Sequence, residues 1–244
     1  MTECMNAVGT PAAHSNALAE LLLAADVRGH YSHGLNRLEM YVRDIQNNIC
    51  DGHAVPTILK ENTSTAWVSG NNGLGPVVGN FCMNLAIQKA HQSGVGWVAA
   101  KNSNHYGMAA WYSMQAIKHG MMGITCSNTS PLMSPTRSKC AALGTNPISF
   151  ATPALTTDDS IVLDMATTTV SLGKIEIQRR KGEKIPDSWA QGPDGLPTVD
   201  AEVAYNTRCL MPLGGPEEKS GYKGYGLALI IEALSGLAAG IYLF

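Results

Sequence analysis

The sequence predicts an α/β fold with interleaved domains, on three observations. GVGWVAA, NHYGMAAWYSMQAIKHG and MMGITCS follow one another as strand, helix and strand. Further apolar runs of strand length, TAWVS, ISFATP and IVLDMA, alternate with helical stretches. The 244 residues contain no internal repeat and no flexible linker, and they suffice for one large domain or two small ones. Two lobes, if present, must therefore exchange segments.

In chain order, Thr10 followed by Pro11 reads as an N-cap with proline at the first helical position. Ala17, Leu18, Leu21, Leu22 and Ala25 then repeat at helical spacing until Gly29. A second helix is expected from Ser32, a good capping residue, with Leu35, Leu38, Val42 and Ile45 inward and Asn47 and Asn48 as its stop. Thr65–Ser69 reads as a strand, and after GNNGLGP a helix should run from Pro76 to about Gln92. The strand, helix, strand unit follows, its helix carrying Met108, Trp111, Tyr112, Gln115 and Ile117. A long loop from Asn128 to Pro147 leads to two more strands. A basic helix past Gly173, the turn-rich IPDSWAQGPDGLPT and an apolar helix in KGYGLALIIEALSGLAAG complete the chain.

Composition narrows the function classes. Seventeen basic residues stand against nineteen acidic ones, and the short run Arg179, Arg180, Lys181 has no interleaved aromatics, so nucleic acid is not expected as a partner. Charged residues make up 15 % of the chain, below the roughly 25 % of ordinary domains, which favours an oligomer with covered surface. The six cysteines are scattered without a CxxC pair, and no secretory leader is read at the start, so reduced thiols and a cytoplasmic location are expected. His30 and His33 have a metal-like spacing but no evident third ligand, so no metal is expected.

Chemistry concentrates in two places. RGHYSHGLNR, from Arg28 to Arg37, holds two histidines, two arginines, a serine and two glycines. With Ser32 as cap, His33 and Arg37 would stand one turn apart, and the amides of His33, Gly34 and Leu35 would point outward as a seat for a carboxylate. Arg37 would add charge-assisted hydrogen bonds and His33 a proton-transfer group. In KNSNHYGMAAW, His105 falls between a strand and the helix it feeds, the end of an α/β sheet where ligands gather. A histidine titrating near neutrality suits proton exchange with a hydroxyl as hydride leaves. GxSxG, HExxH and GxxxxGK[ST] are absent, and GNNGLGPVVG lacks the GxGxxG spacing.

The strings RGHYSHGLNRLEMYV, KNSNHYGMAAWY, LGTNPISFATPA, VLDMATTTVSLGKI, IPDSWAQGPDGLPT and GYKGYGLALIIEALSG resemble, in order, the malate/L-lactate dehydrogenase family of NAD(P)-dependent oxidoreductases. That group includes ureidoglycolate dehydrogenase and 2,3-diketo-L-gulonate reductase. The resemblance runs from about Thr10 to Gly240 and implies a non-Rossmann α/β fold with a mixed sheet flanked by helices and interleaved domains. It implies a homodimer that transfers hydride between NAD or NADP and a small 2-hydroxy or 2-oxo acid such as malate or lactate. It also implies roles: His33 and Arg37 at the substrate, His105 as acid/base candidate, and cofactor contacts from Thr129, Asp164, Met165, Ala166 and Lys223. One region covering 1–244 is expected, with a helical part over about 1–62 and a cofactor and substrate core over about 63–244.

Two departures frame the alternative. Relatives continue for roughly another hundred residues past the KGYG helix, so a C-terminal truncation is expected, and PEEKS before GYKGYG reads as a surface insert. Tyr225–Phe244 has the length of a bilayer span, with a GxxxG pattern at Gly236 and Gly240. That favours a truncated, catalytically silent or membrane-tail binding protein. Glu232 near its centre argues against lipid, and no membrane partner is expected.

Overall fold

A computed structural model describes residues 1–155 and 159–240. The chain divides into two units, each assembled from separate stretches. The first comprises 1–125, 149–163 and the segment from 238, and the second comprises 126–148 and 164–237. The elements are small sheets flanked by helices, the mixed α/β class the sequence predicts.

In the first unit, α1 (Thr2–Ala7) is followed by α2 (Ala12–Val27), which buries Leu18, Leu21, Leu22 and Ala25, the residues its spacing selects. Its cap is Pro11 rather than Thr10, whose hydroxyl is buried without a hydrogen bond. The leucines pack on Met5, Tyr41, Cys50, Leu74 and Tyr112, and each such side chain removed from water contributes about 1.5–3 kcal/mol. A mixed sheet of order β1 (Thr57–Glu61), β2 (Thr65–Gly73), β3 (Trp97–Ser103) follows. β1 and β2 run antiparallel, while β2 and β3 run parallel. A parallel pair needs a crossover, and α4 (Gly75–Ser93), with Pro76 in its first turn and left-handed Gly94 at its end, provides it. β3 returns through residues 104–109 to α5 (Ala110–Ile117). β4 (Gly123–Cys126), β5 (Ile148–Thr152) and β6 (Ile161–Met165) form a second three-stranded sheet.

The second helix of the sequence reading is displaced. Residues 31–37 form two 3-10 turns, Tyr31–His33 and Leu35–Arg37, and the α-helix α3 spans only Leu38–Gln46. Leu35 is exposed, whereas Tyr41 is fully buried.

In the second unit, α6 (Leu172–Lys181), the short hairpin of β7 (Ala190–Gln191) and β8 (Pro197–Thr198), and α7 (Ala201–Thr207) enclose Val170, Ile175, Ile185, Ala204 and Leu210. PEEKS forms a 3-10 turn at Glu217–Lys219, and α8 (Gly221–Glu232) passes into a π-helical turn, Ala233–Leu237. No helix among the described residues is long and apolar enough to cross a membrane. The last part of the supposed span, residues 241–244, lies outside the described residues.

Candidate functional site

His33, Arg37 and His105 all lie in the first unit, and the fold brings the two histidines together. Their rings stack with centroids 5.8 Å apart and planes 16° from parallel. His30 meets His33 edge-on at 4.9 Å.

Each side chain is held by local structure. His105 sits after the parallel crossover, where the Asn104 amide donates to the Gly73 carbonyl (3.0 Å) and the His105 amide donates to Asn104 Oδ1 (2.6 Å). The Tyr112 hydroxyl donates to the Tyr106 carbonyl, 2.7 Å away. Gly107 holds φ +77°, and a Cβ there would strike Leu21, so this turn requires glycine. On the other side, Ser32 Oγ and His33 Nδ1 are 2.8 Å apart, and Arg37 Nε donates to the Ser32 carbonyl (2.6 Å).

The helix-end carboxylate seat expected at Ser32 does not form. The amides of His33 and Gly34 donate to the His30 and Tyr31 carbonyls, and that of Leu35 donates to Asp26 Oδ2 (2.9 Å). Ser32 is inside a 3-10 turn, so its hydroxyl turns to His33 instead of capping α3. What survives is the Arg37 side chain, half-buried and in no ion pair among the described residues. Its Nη groups are the natural partner for a carboxylate.

Electrostatics favour such a guest. Burial, then the neighbouring His105, His30 and Arg37, push His33 down to about 3. Burial and Arg37 push His105 down to about 4. Both imidazoles are therefore neutral near pH 7, beside the Arg37 guanidinium.

Tyr41, which the sequence reading passed over, completes the cluster. Its hydroxyl lies 2.6 Å from His105 Nδ1, and burial raises its pKa, so it stays a phenol. The available signal was its position one helical turn after Arg37 in RLEMYV.

The five residues assigned to the cofactor all lie in the second unit, and a chain of contacts links their segments. Thr129 Oγ1 accepts from the Thr145 amide (2.9 Å). The Thr145 carbonyl accepts from the amide of Thr167, next after the Asp164, Met165, Ala166 triplet (2.9 Å), and the Thr167 carbonyl from the amide of Leu213 (2.9 Å). Gly224 then lies so close to Leu213 that a Cβ would collide with its backbone, which seats the first turn of α8 and exposed Lys223 beside it. Lys223 has no ion pair among the described residues. A hydroxyl, a carboxylate and an uncommitted ammonium at a helix start suit ribose and phosphate groups, so the donor set fits a dinucleotide. Reading the sequence alone gives Asn128, Asn146 and Glu232, which support this shell, no role in the site. The one hint was an acid inside the apolar run LALIIEALSG.

A sequence profile described as malate/L-lactate dehydrogenase matches residues 1–242. The chain is similar to a malate dehydrogenase of Pyrococcus abyssi, 44 % identical over 234 residues, covering 96 % of this chain and 64 % of that protein. It is also similar to an L-sulfolactate dehydrogenase of Methanocaldococcus jannaschii, 42 % identical, covering 94 % and 64 %. Among solved structures, malate dehydrogenase from Entamoeba histolytica superposes with a TM-score of 0.94 at 32 % identity, covering all of this chain and 69 % of that one. The chain thus spans just under two thirds of the length of these two curated relatives.

Proposed function

Because the chain belongs to the malate/L-lactate dehydrogenase family, we propose that it is, or is part of, an NAD(P)-dependent oxidoreductase interconverting small 2-hydroxy and 2-oxo acids. Malate and sulfolactate, the substrates named for the similar proteins, are anionic, which suits a site that presents the Arg37 guanidinium. The observation that carries the reading is the stacked His33 and His105 pair beside Arg37.

In this reading Arg37 binds the substrate carboxylate and orients C2. His105 exchanges the proton of the C2 oxygen, its ring held in place by the Tyr41 hydroxyl. In the tautomer with its proton on Nδ1, toward Tyr41 Oη 2.6 Å away, Nε2 is left to accept from the alcohol, and in the protonated ring Nε2 donates to the carbonyl. The approaching carboxylate offsets the Arg37 charge, the lesser of the two causes, after burial, that lower His105. Bound NAD or NADP supplies the hydride carrier. Thr129 and Asp164 would meet its hydroxyls and Lys223 its phosphates, with Met165 and Ala166 against its apolar surface. We place the protein in the cytoplasm, supported by its six unpaired cysteines, as a homodimer.

The test measures NADH and NADPH oxidation with a panel of 2-oxo acids for the parent, His105→Ala and His33→Ala. His105→Ala is expected to abolish turnover and leave nucleotide affinity nearly intact. Rates equal to the parent's with every acid would remove the assignment.

A further inference from the structure

Glu232 ends α8 with its side chain sealed from solvent, and a charge there persists only if its oxygens are satisfied. Both are. Asn128 Nδ2 donates to Oε1 at 3.0 Å and Asn146 Nδ2 donates to Oε2 at 2.8 Å. These two asparagines stand at the two ends of the long loop 128–147, so one carboxylate ties the loop's ends together. The ends also meet through the Ser127 amide, which donates to the Pro147 carbonyl (3.3 Å).

The chemistry of the acceptor dictates the rest. A carboxylate only accepts, so both asparagines must present their NH2 groups to it. That turns Asn146 Oδ1 outward, where it accepts from the Thr129 amide at 3.2 Å. The second Asn146 N–H goes to the Ala228 carbonyl (3.1 Å). Asn146, fully buried and held at φ +35°, has no spare rotation. The π-helical turn after Glu232 fits the same arrangement: a Cβ on Gly236 would stand 2.7 Å from Glu232 Oε1 and 3.1 Å from Asn128 Nδ2.

We infer that Glu232 is a positioning residue for nucleotide binding, acting through Asn146 and Asn128 to fix the Thr129 loop. This rests on the reading of Thr129 as a nucleotide contact. A glutamine at 232 must turn its own NH2 toward one asparagine. If that is Asn146, its amide flips and aims NH2 at the Thr129 N–H, donor against donor; if Asn128, that amide turns over to accept through Oδ1 and the loop stays tied. Glu232→Ala, which removes both acceptors, is therefore the sharper variant.

The experiment compares the full 244-residue chain with Glu232→Ala, with Asn128→Ala, which leaves the buried Asn146 untouched, and with Ile175→Val in the core of the same unit as a control for general loosening. Two readouts are taken: NADH and NADPH dissociation constants by nicotinamide fluorescence, and hydrogen exchange at the Thr129 amide. Glu232→Ala is expected to weaken nucleotide binding about tenfold, the equivalent of one hydrogen bond to a charged group, and to speed Thr129 exchange. Asn128→Ala should act in the same direction, and serves alone if Glu232→Ala does not fold. Parental affinity and exchange in a folded variant, or an equal loss in Ile175→Val, would overturn the inference and leave the nucleotide reading standing. No binding by the parent chain would overturn both.

Discussion

His33 and His105 carry a consequence for stability whose sign follows from their burial. Folding holds them at about 3 and about 4 against an ordinary 6.5, burial being the first cause in both. Between those values the unfolded chain takes up protons that the folded one refuses, so the folded state loses stability as pH falls. The contribution is complete above pH 6.5 and declines as the pH approaches the folded values. Melting temperature should therefore drop from about pH 6.5 down to about pH 4, where His105 also protonates in the folded chain, and on toward about pH 3 for His33. In a His33→Asn, His105→Gln double variant that slope should flatten, as differential scanning fluorimetry would report; parallel curves would mean that these imidazoles are not the responsible groups. Both histidines were legible in the sequence as clustered donors. Tyr41 was not, because a tyrosine on an amphipathic face reads as core, and its contact with His105 joins positions 64 residues apart.

Elements were legible where a local pattern decided them. α2, β2, α4, β3 and α8 declare themselves through apolar period, proline and glycine. β1 does not, because every residue of TILKE is exposed and no alternation marks it. The stretch 31–37 misled for a tertiary reason. Asp26 reaches forward to the Leu35 amide, and Gly34 lies against that carboxylate where any Cβ would collide, so the chain closes into two tight turns before α3. Asp26 thus does the capping that Ser32 promised, from nine residues upstream. Asp26→Ala should cost about 1 kcal/mol, the usual value of a lost cap. It should also raise KM for the 2-oxo acid more than it lowers kcat, since Arg37 sits in the released turn; an unchanged KM in steady-state assays would detach this cap from the substrate site.

For the whole molecule, composition and structure make the same argument about surface. A chain with 15 % charged residues has too few to cover it, and the shortage is visible in particular places. Ile124 on β4 and Ile161 and Leu163 on β6 are 56 %, 65 % and 46 % exposed on one small sheet. Leu229 and Ile230 are likewise exposed on α8. Exposed apolar side chains of this kind are what an association surface uses, and an oligomer is what the scarcity of charge leads the sequence reading to expect. Which side chains would be left bare was not legible, because it depends on which face of β6 the core takes. The expected result is a sedimentation-velocity profile in which this chain shifts from monomer to dimer with rising concentration, with ANS fluorescence falling as the dimer forms. Ile161→Lys should move that equilibrium toward monomer and leave the helical circular dichroism unchanged. A monomer at every concentration, with ANS bound throughout, would show that this apolar surface is not satisfied by a second copy of the chain.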